Sequence, residues 1–302
     1  MESINALITE TNNPATANIS SCSTLEMVRL INAEDKKVAL AVEQELPHIA
    51  DAIDAAAARL SQGGRLFYVG AGTSGRLAVV DASECPCTYG VSPELVQAVL
   101  AGGLEGVGDA AKGDEDDADM GGEDLRRRQL TAQDVVVGIT ASGRTPYVLG
   151  AIRYAKQVGA FTIGLCSNPD AAISHLAALT IAPITGPEAI EGSTRMKSGT
   201  AQKMVLNMLS TGIMIRLGKV YGNRMVQMVA NNEKLRLRAA RMVADATGCP
   251  PETAAEKLTA CGYDVKLTIA AVLLGCSPEE AAGRLQAAGD SLEALRREGG
   301  AL

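Results

Sequence analysis

The chain has 302 residues, 47% hydrophobic and 21% charged, enough for one large α/β domain and a small second one. A net charge of −7 excludes the concentrated Lys and Arg surface that nucleic acid requires, yet leaves room for a small anion held by backbone N–H groups. Seven cysteines without C-x-x-C spacing and only two histidines, His48 and His175, supply no zinc constellation.

Residues 1–23 are polar, without the basic start and apolar block of a secretory signal, and no apolar run reaches membrane-spanning length. The expectation is a protein with reduced thiols in the cytoplasm, with no metal, nucleic-acid or membrane partner. After this loose arm, Ser23-Thr24-Leu25-Glu26 reads as a capping box opening a helix. A second helix is predicted over Lys36 to Leu60, stopped by Gln62-Gly63-Gly64.

Five short apolar runs follow, Arg65–Ala71, Leu95–Ala101, Val135–Thr140, Thr162–Cys166 and Leu179–Ile184, separated by helix-length stretches. Continuous rather than alternating hydrophobicity suits strands covered on both faces, hence an α/β fold with a parallel five-stranded sheet flanked by helices. Met204 to Ile215 is too short to cross a membrane and reads as a buried or subunit-interface helix. Beyond about Lys234 the chain turns Ala-, Glu- and Arg-rich, and Ser277-Pro278-Glu279-Glu280 is a strong helix start. A small C-terminal bundle of about three helices is predicted there. The expected organisation is a helical arm over 1–60, a ligand domain over 61–233 and the bundle over 234–302.

An internal echo points to the ligand. Val69-Gly70-Ala71-Gly72-Thr73-Ser74-Gly75-Arg76 follows the first run and Val137-Gly138-Ile139-Thr140-Ala141-Ser142-Gly143-Arg144 the third, and both fit V-G-x-x-x-S-G-R. At a strand-to-helix turn, Gly admits close backbone N–H groups, Ser and Thr donate hydroxyls, and the helix start favours an anion. Gly70 to Gly75 also fits the dinucleotide pattern G-x-G-x-x-G, but the next run ends at Ala101-Gly102-Gly103 with no acid to take a ribose. Neither loop has the Gly-Lys-Ser/Thr of a P-loop. Ordinary turn chemistry explains one such loop; the repetition favours phosphate.

Two acidic stretches lie near. Asp81-Ala82-Ser83-Glu84-Cys85-Pro86 falls at the end of the first crossover helix or just after it, where Glu84 alone would be a solvated Glu or a cap. Asp114 to Asp119 reads as a charged loop and fails the calcium-hand pattern at Ala118. Spacing does not show whether Glu84 and Glu115 meet.

The strings Gly70-Ala-Gly-Thr-Ser-Gly-Arg-Leu, Asp81-Ala-Ser-Glu-Cys-Pro, Ser142-Gly-Arg-Thr-Pro-Tyr and Gly192-Ser-Thr-Arg-Met-Lys-Ser-Gly-Thr-Ala-Gln-Lys resemble the N-acetylmuramic acid 6-phosphate etherases, built on the sugar isomerase (SIS) domain. The resemblance runs from Ser23 to the C-terminal helices. It implies cleavage of the D-lactyl ether of the sugar phosphate by elimination and hydration, without a cofactor, by a homodimer. It also implies Glu84 as the acid that protonates the departing lactate and Glu115 as the base. Here Gly113-Asp114-Glu115-Asp116 stands where the family often has Gly-Ala-Glu-Asp. The resemblance places Thr73, Ser74, Thr140, Ser142 and Thr145 on the phosphate, and Lys197 on an enolate or phosphate, with a surface lysine at a helix start as its alternative. Cys85 is discounted as a nucleophile, since elimination needs no covalent intermediate. The bundle resembles a ubiquitin-associated-like fold, with packing or dimerisation as its expected role. The rival functions are an aldose–ketose isomerase of a hexosamine phosphate and a non-catalytic sugar-phosphate sensor.

Overall fold

The computed structural model describes residues 7–103, 105–108, 114–228, 230 and 232–298. By internal contacts the chain forms two units, one of Met1–Ser83 with Pro93–Ser210, the other of Glu84–Ser92 with Thr211–Leu302.

In the first unit the polar arm is ordered rather than loose. From Leu7 it makes three 3-10 turns, and the Ile8 N–H donates to Asn168 Oδ1 at 2.8 Å while Thr16 Oγ1 donates to the Ala189 carbonyl at 2.9 Å. The capping box at Ser23 forms in both directions and starts α1 (Thr24–Glu43). The single helix predicted over Lys36 to Leu60 is broken: α1 stops at Glu43 and α2 spans Leu46–Leu60. Pro47 explains the break, because it has no N–H for an ongoing ladder but is tolerated in a first turn.

All five apolar runs become strands, β1 (Leu66–Gly70), β2 (Val96–Leu100), β3 (Val135–Ile139), β4 (Phe161–Leu165) and β5 (Leu179–Ile181). They pair parallel in the order β2-β1-β3-β4-β5. Every residue of β1 and β3 is buried, as the unbroken hydrophobicity requires. The crossovers are α3 (Gly72–Tyr89) after β1, α4 (Ala118–Arg127) before β3, α5 (Pro146–Val158) after β3 and α6 (Ala172–Leu176) after β4. One core layer gathers Phe67, Val69, Val136, Leu125, Tyr147, Val148 and Ile152. At the opposite end of the strands Asp134 accepts the N–H groups of Arg65 and Thr131, each at 2.8 Å, and pairs with the Arg65 guanidinium. Burial pushes the Asp134 carboxyl up, but the Arg65 guanidinium and those N–H groups outweigh this and hold it below its usual range. It ties the starts of β1 and β3 together.

The helix α7 (Lys197–Arg216) absorbs the apolar stretch Met204–Ile215, with Val205, Leu206, Leu209 and Met214 buried. From Glu233 on, the described residues form five helices where about three were predicted: α8 (Glu233–Thr247), α9 (Pro251–Ala260), α10 (Val265–Leu274), α11 (Pro278–Ala287) and α12 (Leu292–Glu298). Gly248 and Gly275 stop α8 and α10 in the left-handed conformation, dividing what composition alone reads as longer helices. The start at Ser277 is as predicted: its Oγ accepts the Glu280 N–H at 3.2 Å. Val243, Leu258, Ile269 and Leu285 centre a core of this unit's own.

Candidate active site

The strand order reverses between β1 and β3: β1 crosses to β2 on one side, β3 to β4 on the other. Ligands of open α/β sheets collect at such a reversal, outside the carboxyl ends of the strands. The two echoed loops leave those two strands, side by side, since Gly70 pairs with Ile139.

The echo is nonetheless not a structural repeat. The sheet pairs Leu66 with Val135 and Val69 with Gly138, one residue away from the match that the motif gives. A one-residue offset turns equivalent side chains to opposite faces of a sheet. The loops differ accordingly. After β1 the helix begins at once, so that Thr73 and Ser74 lie in the first turn of α3, where backbone N–H groups have no carbonyl within the helix. Gly75 is required there: a Cβ would strike Leu100 Cδ1 and lie 2.8 Å from the Gly70 carbonyl oxygen.

After β3 the chain makes a true loop before α5. Gly143 takes φ +73, and a Cβ there would collide with that of Ala171. Three hydroxyls gather in the loop: Thr140 Oγ1 is 2.8 Å from Thr145 Oγ1 and 3.4 Å from Ser142 Oγ. The Gly143 N–H donates to Thr140 Oγ1 and the Arg144 N–H to Ser142 Oγ, each at 3.2 Å. Thr145 occupies the N-cap position of α5 but its side chain does not cap; it turns to Thr140 instead. The first N–H groups of α5 therefore keep no side-chain acceptor, which suits an anion.

Ser74 is buried, and its Oγ donates to Gln202 Oε1 of α7 at 2.9 Å. Arg76 reaches from α3 to the Val107 carbonyl at 2.8 Å, fastening the turn after β2. Further along α3, Asp81 accepts Asn207 Nδ2 at 2.6 Å and Ser210 Oγ at 3.2 Å, both from α7. Burial raises the Asp81 carboxyl above its usual range against these bonds and that of Tyr68.

The catalytic candidates are both exposed carboxylates. Glu84 lies within α3, which runs on through Pro86 to Tyr89 rather than ending at the Asp81–Pro86 string. Its Oε2 is 3.9 Å from Cys87 Sγ. Glu115 lies in a 3-10 turn, Asp114–Asp116, that packs against α5. The turn abuts the carboxyl end of β2, because a Cβ on Gly102 would lie 2.6 Å from Asp114 Oδ2. Gly113 of the same motif lies outside the described residues. Glu115 thus shares the strand ends with Thr73, Ser74 and the Thr140–Thr145 hydroxyls. Glu84 falls in the other unit.

The surface-lysine alternative for Lys197 requires a correction. The residue is not a surface lysine: only 1% of it is exposed, and its Nζ is bound to Glu34 of α1 at 2.7 Å and to the Thr185 carbonyl at 2.8 Å. Burial would raise the Glu34 carboxyl, but Lys197, Lys37 and Asn13 overcome this and bring it down to about 2. With these partners Lys197 is a strut between α1 and the start of α7, and a direct hold on substrate does not follow from its place. The Glu188 carboxylate, fully buried, accepts the N–H groups of Lys197 and Ser198 at 2.8 and 2.9 Å and so closes the α7 N-terminus to other anions.

Sequence reasoning passed over Gln202, although it stands in the quoted Gly192–Lys203 string just before the apolar stretch Met204–Ile215. Among the described residues no group of three or more His, Cys, Asp and Glu could hold a metal ion, the seven cysteines form no disulfide, and no helix is long and apolar enough to cross a membrane.

A parallel sheet with two hydroxyl-rich turns at its reversal defines the class as an SIS-type domain. Residues 121–212 match the family described as "SIS domain", and residues 48–156 the one described as "Glucokinase regulatory protein N-terminal SIS domain". A curated relative from Clostridium beijerinckii, named N-acetylmuramic acid 6-phosphate etherase, is 56% identical over 275 residues, 90% of each chain. One of the same name from Symbiobacterium thermophilum is 58% identical over 270 residues, 89% of this chain and 90% of its own. Among solved structures, phosphoheptose isomerase from Neisseria gonorrhoeae is similar with a TM-score of 0.49 and 18% identity, covering 63% of this chain and 98% of its own. The chain belongs to the N-acetylmuramic acid 6-phosphate etherase family.

Proposed function

We propose that this chain cleaves the D-lactyl ether of N-acetylmuramic acid 6-phosphate, giving N-acetylglucosamine 6-phosphate and D-lactate. The observation that carries the reading is the pair of hydroxyl-and-amide turns on neighbouring strands at the sheet reversal, in a chain with near-full-length kinship to etherases. Thr73, Ser74, Thr140, Ser142 and Thr145 bind the phosphate, with the first N–H groups of α3 and α5.

With the phosphate fixed, the sugar opens to its aldehyde and the proton on carbon 2 becomes acidic. Glu115 as carboxylate removes it, the bond from carbon 3 to the lactyl oxygen breaks, and Glu84 as carboxylic acid protonates that oxygen. Water then adds to carbon 3 of the unsaturated aldehyde, and a proton returns to carbon 2. The steps transfer protons and break and form C–O bonds with no net oxidation or reduction, so two carboxyl groups suffice and no cofactor enters. The mechanism requires one acid ionised and the other protonated.

We assign Lys197 to holding α7 in place rather than to the substrate. The proposed organisation is a helical arm over 1–60, the sugar-phosphate domain over 61–233 and a packing domain over 234–302. We also propose that it works as a homodimer in the cytoplasm. Exposed Leu25, Val28 and Leu40 on α1 support the first, and seven cysteines that form no disulfide the second.

The test is incubation with the substrate in water enriched in deuterium and heavy oxygen. Lactate release with deuterium at carbon 2 and heavy oxygen at carbon 3 of the sugar is expected. Heavy oxygen in the lactate would refute elimination. A ketose product without lactate would make the protein an isomerase, and binding without turnover would make it a sensor.

A further inference from the structure

Gln202 is 1% exposed on α7, and its amide is half used. Its Oε1 accepts the Ser74 hydroxyl at 2.9 Å, while its Nε2, with two N–H donors, is buried without a hydrogen-bond partner. One turn earlier on the same face, Ser198 Oγ is also buried without a partner. This face lies against the first anion turn, for a Cβ on Gly199 would be 3.6 Å from Thr73 Cγ2. A buried polar group left unpaired is costly and needs a reason. An apolar residue here would pack α7 as well and leave no orphan.

In the resting arrangement the Ser74 hydroxyl hydrogen points at Gln202, and so away from a ligand. A hydroxyl has one donor and two acceptor sites, and a primary amide can present either its oxygen or its nitrogen. When an anion competes for the Ser74 hydrogen, rotation of the Gln202 amide by half a turn brings Nε2 to the Ser74 oxygen. The serine then accepts from Gln202 and donates to the anion. The unpaired N–H groups are the reserve that permits this exchange.

We propose that Gln202 is a positioning residue for substrate phosphate, acting through Ser74 by switching from acceptor to donor as the phosphate binds. This rests on the reading that Ser74 contacts the phosphate. The sugar phosphate is then bound by a hydroxyl whose direction is set from behind, not by a freely rotating one.

The experiment uses the full chain and compares Gln202→Met, Gln202→Glu, Ser74→Ala and the Ser74→Ala/Gln202→Met double variant. The readouts are KM and kcat for the sugar phosphate, competitive inhibition by inorganic phosphate, and Tm. Gln202→Met is expected to raise KM and the phosphate inhibition constant by roughly three- to tenfold, the loss of about one neutral hydrogen bond. Its kcat should stay within about twofold, as for binding lost equally from ground and transition states. Its Tm should equal or exceed that of the wild type, because the orphaned donors are gone. Gln202→Glu, whose carboxylate can only accept, should be worse than Gln202→Met at neutral pH and recover relative to the wild type as pH falls and the new carboxyl gains a donor.

In the Ser74→Ala background, Gln202→Met should change KM no further. If Ser74→Ala raises KM while Gln202→Met does not, the switch is wrong and the phosphate reading stands. If Ser74→Ala leaves KM unchanged, the phosphate reading of Ser74 fails and the switch with it. A Gln202→Met variant that loses kcat and Tm together would show an ordinary packing residue.

Discussion

Gly150→Ala tests how α5 is held against α4, and through it how the second anion turn is placed. A Cβ on Gly150 would lie 2.6 Å from the Ala118 carbonyl carbon and closer still to its oxygen; one on Gly121 would lie 3.0 Å from the Tyr147 carbonyl carbon. Carbon atoms in good contact stand about 3.5–4.0 Å apart, so the helices must separate by about 1 Å. Neither obstacle is a flexible side chain; both are backbone. The separation would loosen Leu125, Tyr147, Val148 and Ile152, all fully buried. Overpacking of this kind costs about 1–3 kcal/mol, and the backbone clash places it at the upper end. Alanine regains about 1 kcal/mol of helix propensity. A net loss of about 2 kcal/mol remains, a fall in Tm of roughly 4–8 °C for a unit of this size. Since α5 starts immediately after Thr145, KM for the sugar phosphate should rise as well. Thermal unfolding is compared with Gly283→Ala, an exposed α11 glycine where a Cβ meets nothing within 4 Å, which should be neutral or stabilising. A Gly150→Ala variant as stable as the wild type would refute the close approach of the two helices.

Ser74→Ala and Ser142→Ala should each raise KM for the sugar phosphate by roughly tenfold or more, the worth of a hydrogen bond to a charged group, with a smaller change in kcat. Glu84→Gln should lower kcat by about two to four orders of magnitude and leave Kd for the product sugar phosphate nearly unchanged; full activity removes Glu84 from the mechanism. The Glu34 carboxyl, held at about 2 against 4.5 in the unfolded chain, stabilises the fold above pH 4.5, and this is lost as pH falls toward 2. Acid titration of stability should therefore be shallower for Glu34→Gln, which is also less stable at neutral pH because Lys197 is left buried and unpaired. Asp81 has the opposite sign: its folded-state value is raised, so ionisation at neutral pH costs stability. Asp81→Asn should gain on the wild type as pH climbs past 3.8 and match it in acid, measured by denaturant midpoints.

The sheet was legible because burial on both faces writes itself as unbroken apolar runs, and each strand lies inside or within a residue of its run. Helix boundaries were less so. Pro47 was available to split the helix predicted over Lys36 to Leu60, but a proline in a first turn and one that breaks a helix look alike until the caps are seen. The anion turns were legible by residue type, whereas their inequality was not. Strand register is set by packing across the whole sheet, and the one-residue offset of β1 against β3 leaves no mark in the motif. Lys197 shows the limit most clearly. Its string named it, yet its partner Glu34 lies 163 residues away on a helix whose own pattern gives no sign of a buried acid.

The disposition of charge gives these pieces one logic. The substrate is anionic, yet two cations near the strand ends are committed elsewhere: Lys197 to Glu34, and Arg76 to the Val107 carbonyl. The groups proposed for the phosphate are hydroxyls and amides. A lysine among them would bind the phosphate more tightly but would also favour the ionised form of any carboxyl group within reach. Neutral donors separate the two tasks. They hold the anion through fixed dipoles and add no positive charge to favour an ionised carboxyl. Introducing a cation, as in Ser142→Lys, should therefore tighten binding of inorganic phosphate and lower kcat, most at the alkaline side of the pH profile. Tighter binding with undiminished kcat across that profile would show that turnover does not depend on neutral phosphate donors.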